Sequence, residues 1–413
     1  MLIPNVGLFL VMAFSLLGPK IGLLDTGFLV SFCYLFLHIL LMYRFKIPKQ
    51  FLIILGAQIV LLSYSLAVSL ASQSHELELN IVLRAIRSLS AVVCLGLIFY
   101  NTKVPLSTFV RIFLLVLLLH PLTIFYQLIY PESMSFFSEY WTFGKYPPPF
   151  RAFGLTAGLD TSGYYCIFGQ VVTATLSLRT KNYFGYHCLY LVFLMAVIFT
   201  ARNAILISLL LYFIYMFKAM QLKRKIVNFY LASQSFFLVS FIIFILVPLM
   251  MYSFFDGSNI LSLGSGLQFN LSETYARGTV NDILTNHLII PNEPIDLIFG
   301  NAKPVKIDPG YIRLLMTLGI VGLLISMMTY FLLIIMSVSS YRLTNSYYIS
   351  SGKDEDRRLL FSLIQVLIMY LLLTFVFNFK HFFFFTRGFW EIVVILYFYT
   401  LSCLDRKNLT SKF

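Results

Sequence analysis

Charged residues are scarce in this sequence, at 11% against the roughly 25% usual in soluble globular proteins. A soluble domain of 413 residues cannot hide a 59% hydrophobic complement in one core. Cysteine is also sparse. Cys33, Cys94, Cys166, Cys188 and Cys403 lie in or at the ends of apolar runs without CxxC spacing. That excludes a disulfide framework and a zinc site, leaving five small apolar fillers. Acidic residues number 17 against 30 basic ones, yet no stretch mixes basic and aromatic residues as a nucleic-acid track would. Nucleic acid is therefore excluded as a partner. No Lys or Arg precedes the first apolar run and no small-residue cleavage site follows it, so a removed signal peptide is not expected. Internal repeats, heptads and low-complexity segments are lacking too.

What is present is apolar length. Runs lie near 5–24, 27–43, 51–72, 81–100, 106–130, 158–178, 183–200, 203–217, 229–254, 310–338, 359–378 and 386–403. Most are long enough to cross a ~30 Å hydrocarbon core as helices. The 43 Phe and 26 Tyr suit a lipid-facing surface with aromatic belts. The expectation is an all-α polytopic membrane protein of about twelve transmembrane helices, one multi-spanning domain over 1–413. Pro19 and Lys20 interrupt its first span.

The basic loops orient this chain. Lys218, Lys223, Arg224 and Lys225 precede the ninth run, and Arg342, Lys353, Arg357 and Arg358 follow the tenth. The positive-inside rule makes both loops cytoplasmic, which puts the long 255–309 loop outside and both termini inside. The 131–157 loop is then also outside, and the 341–358 loop reads as a solvated cytoplasmic hairpin. Eighteen basic residues fall on the inner side and twelve on the outer. The outer twelve run against topology and invite a functional reading.

Seven of those twelve are arginines: Arg84, Arg87, Arg151, Arg202, Arg277, Arg313 and Arg387. At the bilayer centre an Arg costs roughly 2.5–3.5 kcal/mol, and less near the interface. Each alone is accounted for by a lipid headgroup; the set is not. Arg84 and Arg87 are three apart and share a helix face. The planar guanidinium grips phosphate oxygens bidentately, so the set points to an anionic substrate such as a lipid diphosphate.

The outer loops add further groups. Ser272–Ile290 alternates Val280, Ile283, Leu284 and Leu288 with Glu273, Arg277, Asp282 and His287, the pattern of an amphipathic surface helix. Glu273 and Arg277, four apart, equally suit a surface ion pair. His287 equally suits a plain surface position. Asp308-Pro309-Gly310-Tyr311-Ile312-Arg313 then leads into the tenth run. Asp308 is either site chemistry or an acid complementing a helix dipole. In 131–157, Trp141, Pro147-Pro148-Pro149 and Arg151-Ala-Phe-Gly154 permit a loop that dips into the bilayer. Glu76 and Glu78 vaguely resemble the acidic pair of metal-dependent membrane transferases, though two acids one residue apart are ordinary in a polar loop.

Three elements, in order, resemble the O-antigen polymerases, within the wider superfamily of O-antigen ligases and polysaccharide polymerases. They are Arg151-Ala-Phe-Gly-Leu, Thr200-Ala-Arg202-Asn-Ala at a tight turn, and the long loop ending in Phe299-Gly300, Asp308-Pro-Gly-Tyr311-Ile-Arg-Leu-Leu and Leu318-Gly319-Ile-Val-Gly322. The resemblance implies a metal-independent glycosyltransferase of the bacterial inner membrane, without a cofactor, its fold related to the C-type membrane glycosyltransferases. Its substrates would be undecaprenyl-diphosphate-linked oligosaccharides, donor and acceptor, with membrane lipids around it and a chain-length regulator and a flippase as partners. Arg202 and Arg277 are expected to hold the donor diphosphate, with Arg151 nearby. Arg84, Arg87, Glu273, His287, Tyr311 and Arg313 complete the expected substrate contacts, and Asp308 ranks ahead of Glu273 and His287 as general base. The sister ligases carry a His-Asn pair where this chain has Asp308-Pro309, which favours polymerase over ligase. A lipid-oligosaccharide flippase is the rival of another class; it predicts mid-bilayer charges and helices broken in matching repeats.

Overall fold

The computed structural model describes residues 2–21, 24–41, 45–72, 79–142, 151–180, 182–221, 291, 293–302, 310–347, 354–379 and 384–410. The chain divides into two compact units, Met1–Ser208 with Ile290–Phe413, and Leu209–Ile289. The described helices lie in the first, except for the Leu209–Gln221 part of the helix that begins at Arg202. The structure is almost wholly helical. Its helices are α1 (Leu2–Leu17), α2 (Thr26–Leu41), α3 (Lys49–Ala71) and α4 (Leu79–Ala91, continued through a π-turn to Asn101). They continue with α5 (Leu106–Ile129), α6 (Leu159–Arg179), α7 (Tyr183–Ile198), α8 (Arg202–Gln221), α9 (Pro294–Phe299), α10 (Gly310–Tyr347), α11 (Asp354–Phe377) and α12 (Phe389–Thr410). Among the described residues five helices are long and apolar enough to cross a membrane: Lys49–Ala71, Ile81–Asn101, Leu106–Ile129, Gly310–Arg342 and Glu355–Phe377. The protein is a multi-pass membrane protein.

Eleven of the twelve apolar runs coincide with helices, and the run at 229–254 lies outside the described residues. Four boundaries differ from expectation. Gly18 and Pro19 stop α1 at Leu17, and Lys20–Ile21 pairs with Leu24–Asp25 in a two-rung antiparallel hairpin. Residues 131–142 form short helical turns rather than irregular loop. The 341–358 hairpin shrinks, because α10 runs on to Tyr347 and α11 takes in the Asp354–Arg358 charges in its first turns. The tenth run is broken at Gly319, whose φ of 66° is open to glycine.

Local chemistry explains the ends. Pro48 and Pro105 stand extended before α3 and α5, where a missing N–H costs nothing. Inside α4 the π-turn Val92–Gly96 sets Gly96 against the Phe398 ring. The core centres on α12, buried from Phe389 through Thr400, with Phe109 stacked on Tyr399 at 3.6 Å and Phe168 against Tyr370. By contrast α2 and α3 expose Phe32, Phe36, Leu40, Leu52, Ile53 and Val60. Such contiguous apolar surface belongs against lipid.

The connections gather at two ends. At one, Lys46 meets Asn101, Tyr100 donates to Asp405, and Arg179 and Arg357 lie over Phe361. At the other, Trp141 donates to Leu17 O, Ser72 to Asn301 O, the Gly310 N–H to Asn378 O and Trp390 to Ser88 O. The second end carries Arg84, Arg87, Arg151, Arg313 and Arg387, and α8 begins there at Arg202; Arg277 lies outside the described residues.

Candidate functional site

Three constructions stand at that end. The first joins the hairpin after α1, the N-terminal half of α4 and the turn into α12. Asp25 caps α2: its Oδ1 accepts the Gly27 N–H at 3.0 Å, and the same oxygen accepts Arg387 Nη2 at 2.9 Å. Arg84 and Arg87 lie one turn apart, so both reach the 384–391 segment. Arg84 donates to Thr386 Oγ1 at 3.2 Å and Arg87 to Phe385 O at 2.8 Å. Arg87 Nε lies 3.6 Å from Glu391 Oε1. Glu391 stands at the third position of α12 and accepts the Gly388 N–H at 2.7 Å, half of a capping box. The segment turns sharply, with φ of 54° at Phe385 and 81° at Gly388. Asn378 and Tyr330 hold it, through the Phe384 and Phe385 N–H groups. Lys20 completes the cluster from the hairpin. Burial pushes its ammonium down to about 8, helped by Arg87 and Arg387 and opposed by Asp25.

Beside this cluster a small cleft of ≈ 20 Å³ opens between α1, α2 and α4. Arg87, Asp25 and Glu391 line its charged part, and Phe28, Ala91 and Leu95 its apolar part.

The second construction holds Arg151. Its neighbour Ala152 donates its N–H to Phe199 O at 2.8 Å, tying 151–154 to the turn from which Arg202 opens α8. Gly163 of α6 allows that turn to close in, since a Cβ there would come within 2.4 Å of Ala204 Cβ. Gly154 is left-handed, with φ of 56°, and both its backbone polar groups bond Gln127. His120 Nδ1 accepts the Leu155 N–H at 3.1 Å, so the ring proton sits on Nε2 and faces Ser162 Oγ at 3.1 Å. The first two resemblance elements, about fifty residues apart in sequence, are thus adjacent.

In the third, α9 and its tail pack on the break in α10. Gly300 and Gly319, both left-handed, meet so closely that a Cβ on either would lie 2.4 Å from backbone oxygen of the other strand of chain. Tyr64 of α3 donates to Phe299 O and Leu318 O, at 2.9 and 3.1 Å. Ala302 donates its N–H to Thr317 O at 3.0 Å. Tyr311 spends its hydroxyl on Phe375 O at 2.7 Å and packs on Phe379 and Phe384. Arg313 lies one turn inside α10, half-buried.

Of the residues singled out from sequence, Arg84 and Arg87 come together, and Arg151 comes beside the turn that begins α8. Tyr311 and Arg313 stand at the head of α10. Glu273, Arg277, His287 and Asp308 lie outside the described residues. Lys20, Asp25, Glu391, His120 and Gln127 were not among the expected site residues, although a lone acid or histidine in an apolar run was a usable signal. Comparison with known protein families and with curated proteins finds no match to this chain.

Proposed function

We propose that this protein is a polysaccharide polymerase of the O-antigen type, with twelve spans and both termini cytoplasmic. It is a glycosyltransferase acting on undecaprenyl-diphosphate-linked oligosaccharides at the outer face of the bacterial inner membrane. The single observation that carries the reading is the adjacency of the Arg151 corner and the Thr200–Arg202 turn, joined through the Ala152–Phe199 hydrogen bond. Two of the three motifs that carry the resemblance thereby share one end of the bundle with Arg84 and Arg87.

In the proposed reaction an acceptor sugar hydroxyl attacks the anomeric carbon of the donor chain. The bond from that carbon to the diphosphate oxygen breaks, and the diphosphate leaves on its lipid. Arg202 and Arg277 neutralise the charge that grows on the leaving group, with Arg151 beside them, so their stabilisation is greatest in the transition state. Asp308 takes the hydroxyl proton, ahead of Glu273 and His287. Outside the cytoplasm nucleotide sugars are lacking, and a lipid-activated donor meets that need.

The test is deletion of the gene in a bacterium with a readable surface polysaccharide, followed by complementation. Loss of the lipopolysaccharide ladder to one repeat unit on the core, restored by the wild type but not by Arg202→Ala or Arg277→Ala, is the expected result. Lipid-linked chains accumulating outside with a bare core would make the protein a ligase. Lipid-linked single units trapped inside would make it a transporter.

A further inference from the structure

Two helices of membrane-crossing length, α3 and α10, hold the tail of α9 well inside their own ends. Tyr64 of α3 stands seven residues before the last residue of that helix, Ala71, a rise of about 10 Å. Its hydroxyl nevertheless reaches Phe299 O, the last carbonyl of α9. On the other side Gly319 stands nine residues after Gly310, where α10 begins, a rise of about 13 Å. That is the point at which the chain of α10 closes on Ile298 and Gly300. Measured along either helix, the end of α9 sits about two turns below the helix end. A hydrocarbon core of ~30 Å includes that level.

Backbone at such a depth meets no water, and it persists only where protein satisfies it. Phe299 O accepts the Tyr64 hydroxyl, and the Gly300 N–H is given to Asp296 O at 2.8 Å. The Ala302 N–H is given to Thr317 O, and the Asn301 carboxamide to Asp296 Oδ2. By Asn301 the chain has risen again to the end of α3, where Ser72 donates to its carbonyl. The chain goes in, turns at Phe299 and Gly300, and comes out.

The outer face of α9 is of the wrong kind for water. Ile295, Ile298 and Phe299 recur at helical spacing and are 70%, 43% and 51% exposed. The helices that hold it are exposed and apolar too, at Leu66 and Leu70 of α3 and at Ile320 and Leu324 of α10. The apolar face of α9 therefore continues the lipid-facing surface of two membrane helices.

We propose that Pro294–Ala302 is a re-entrant segment whose Ile295, Ile298 and Phe299 lie against lipid acyl chains in the leaflet at this end of the bundle. Part of the long connection ahead of α10 is thereby held in the membrane rather than in the water beside it. The proposal rests on the membrane helices and is independent of the transferase reading, because it is tested without turnover.

The test uses the full chain reconstituted in phosphatidylcholine bilayers, with Ile295→Trp and Ile298→Trp as separate variants. Both positions are exposed, so the larger ring does not disturb the core. The emission that each variant adds to that of the wild type is measured with two quenchers, phosphatidylcholine brominated on its acyl chains and aqueous iodide. Both added emissions should be blue-shifted, should lose most of their intensity to the brominated lipid and should be spared by iodide. Emission at either position that iodide quenches and brominated lipid spares puts the face in water and overturns the proposal. Emission reached by neither quencher puts it under the protein's own chain and overturns it as well. Should one variant fail to fold, the other decides by the same readings. A failed ladder test with lipid quenching intact sinks the polymerase alone.

Discussion

The carboxamide of Gln127 grips both polar backbone groups of Gly154: its Nε2 donates to Gly154 O and its Oε1 accepts the Gly154 N–H, each at 3.0 Å. A left-handed glycine inside a membrane protein has lost its regular helical partners, and a side chain two turns along α5 from His120 supplies them. That pair of bonds fastens the corner that carries Arg151 to α5, and the Ala152 N–H to Phe199 O bond ties it to the turn that begins α8.

Replacing Gln127 by Leu leaves two buried backbone groups unsatisfied, at a cost of about 1–3 kcal/mol each. Gln127→Leu is expected to lower the detergent melting temperature clearly, while Gln127→Glu, which keeps one acceptor, loses less. Equal melting of wild type and Gln127→Leu would show that the corner does not depend on this side chain.

Gly154→Ala faces two obstacles at once. The φ of 56° disfavours an L side chain, and the new Cβ would stand 2.6 Å from His120 Cε1. The expected outcome is poor accumulation of folded protein, partly relieved by His120→Ala in the same chain. An absence of relief would separate the strain from the ring.

The break in α10 gives a graded series. Gly319→Ala and Gly300→Ala both press a methyl into backbone, which cannot give way as a side chain can, so either should abolish folding. Tyr64→Phe removes only a hydroxyl shared between Phe299 O and Leu318 O. It should cost about 1 kcal/mol. Thermal unfolding of the three variants in one detergent orders them, and a Tyr64→Phe loss as large as the glycine variants contradicts this account.

Arg387 and Asp25 are mutually dependent. Each is less than a fifth exposed, and removal of one leaves the other with a poorly compensated charge. Arg387→Gln or Asp25→Asn alone should cost about 3 kcal/mol, and the double variant less than the sum. A double-mutant cycle of unfolding free energies measures the coupling. Strict additivity would mean the pair contributes no interaction of its own.

Lys20 gives stability a defined pH dependence. Its folded value is about 8, set by burial first and then by Arg87 and Arg387, against 10.5 for the free side chain. Between these values the unfolded chain binds the extra proton, so stability should rise with pH over that window. Below the window the full penalty of holding a charged Lys20 is present. Lys20→Met removes it, so the variant should melt higher than wild type at pH 7 and the two should converge above pH 10. A gap that widens with pH has the wrong sign for this mechanism.

The membrane helices were legible because what makes them is local. Length and apolar composition are counted along the chain, and lipid asks for little else. Eleven runs read this way are helices. Their ends were less legible, because the stop at Leu17 and the overrun to Tyr347 depend on what each end meets. The kink at Gly319 was hidden for the same reason. A glycine in an apolar run is silent until Phe299 and Gly300 pack against it.

By itself the sequence determined that this is a helical multi-pass membrane protein and that Arg84 and Arg87 share a face. Only the tertiary structure decided which groups meet. Asp25 and Arg387 are 362 positions apart, and Arg84 and Thr386 are 302 apart. No periodicity encodes such pairings, because periodicity reports one helix at a time. They arise when α1, α4 and α12 pack and the burial of each charge forces it to find a partner among whatever the other helices bring to the same end.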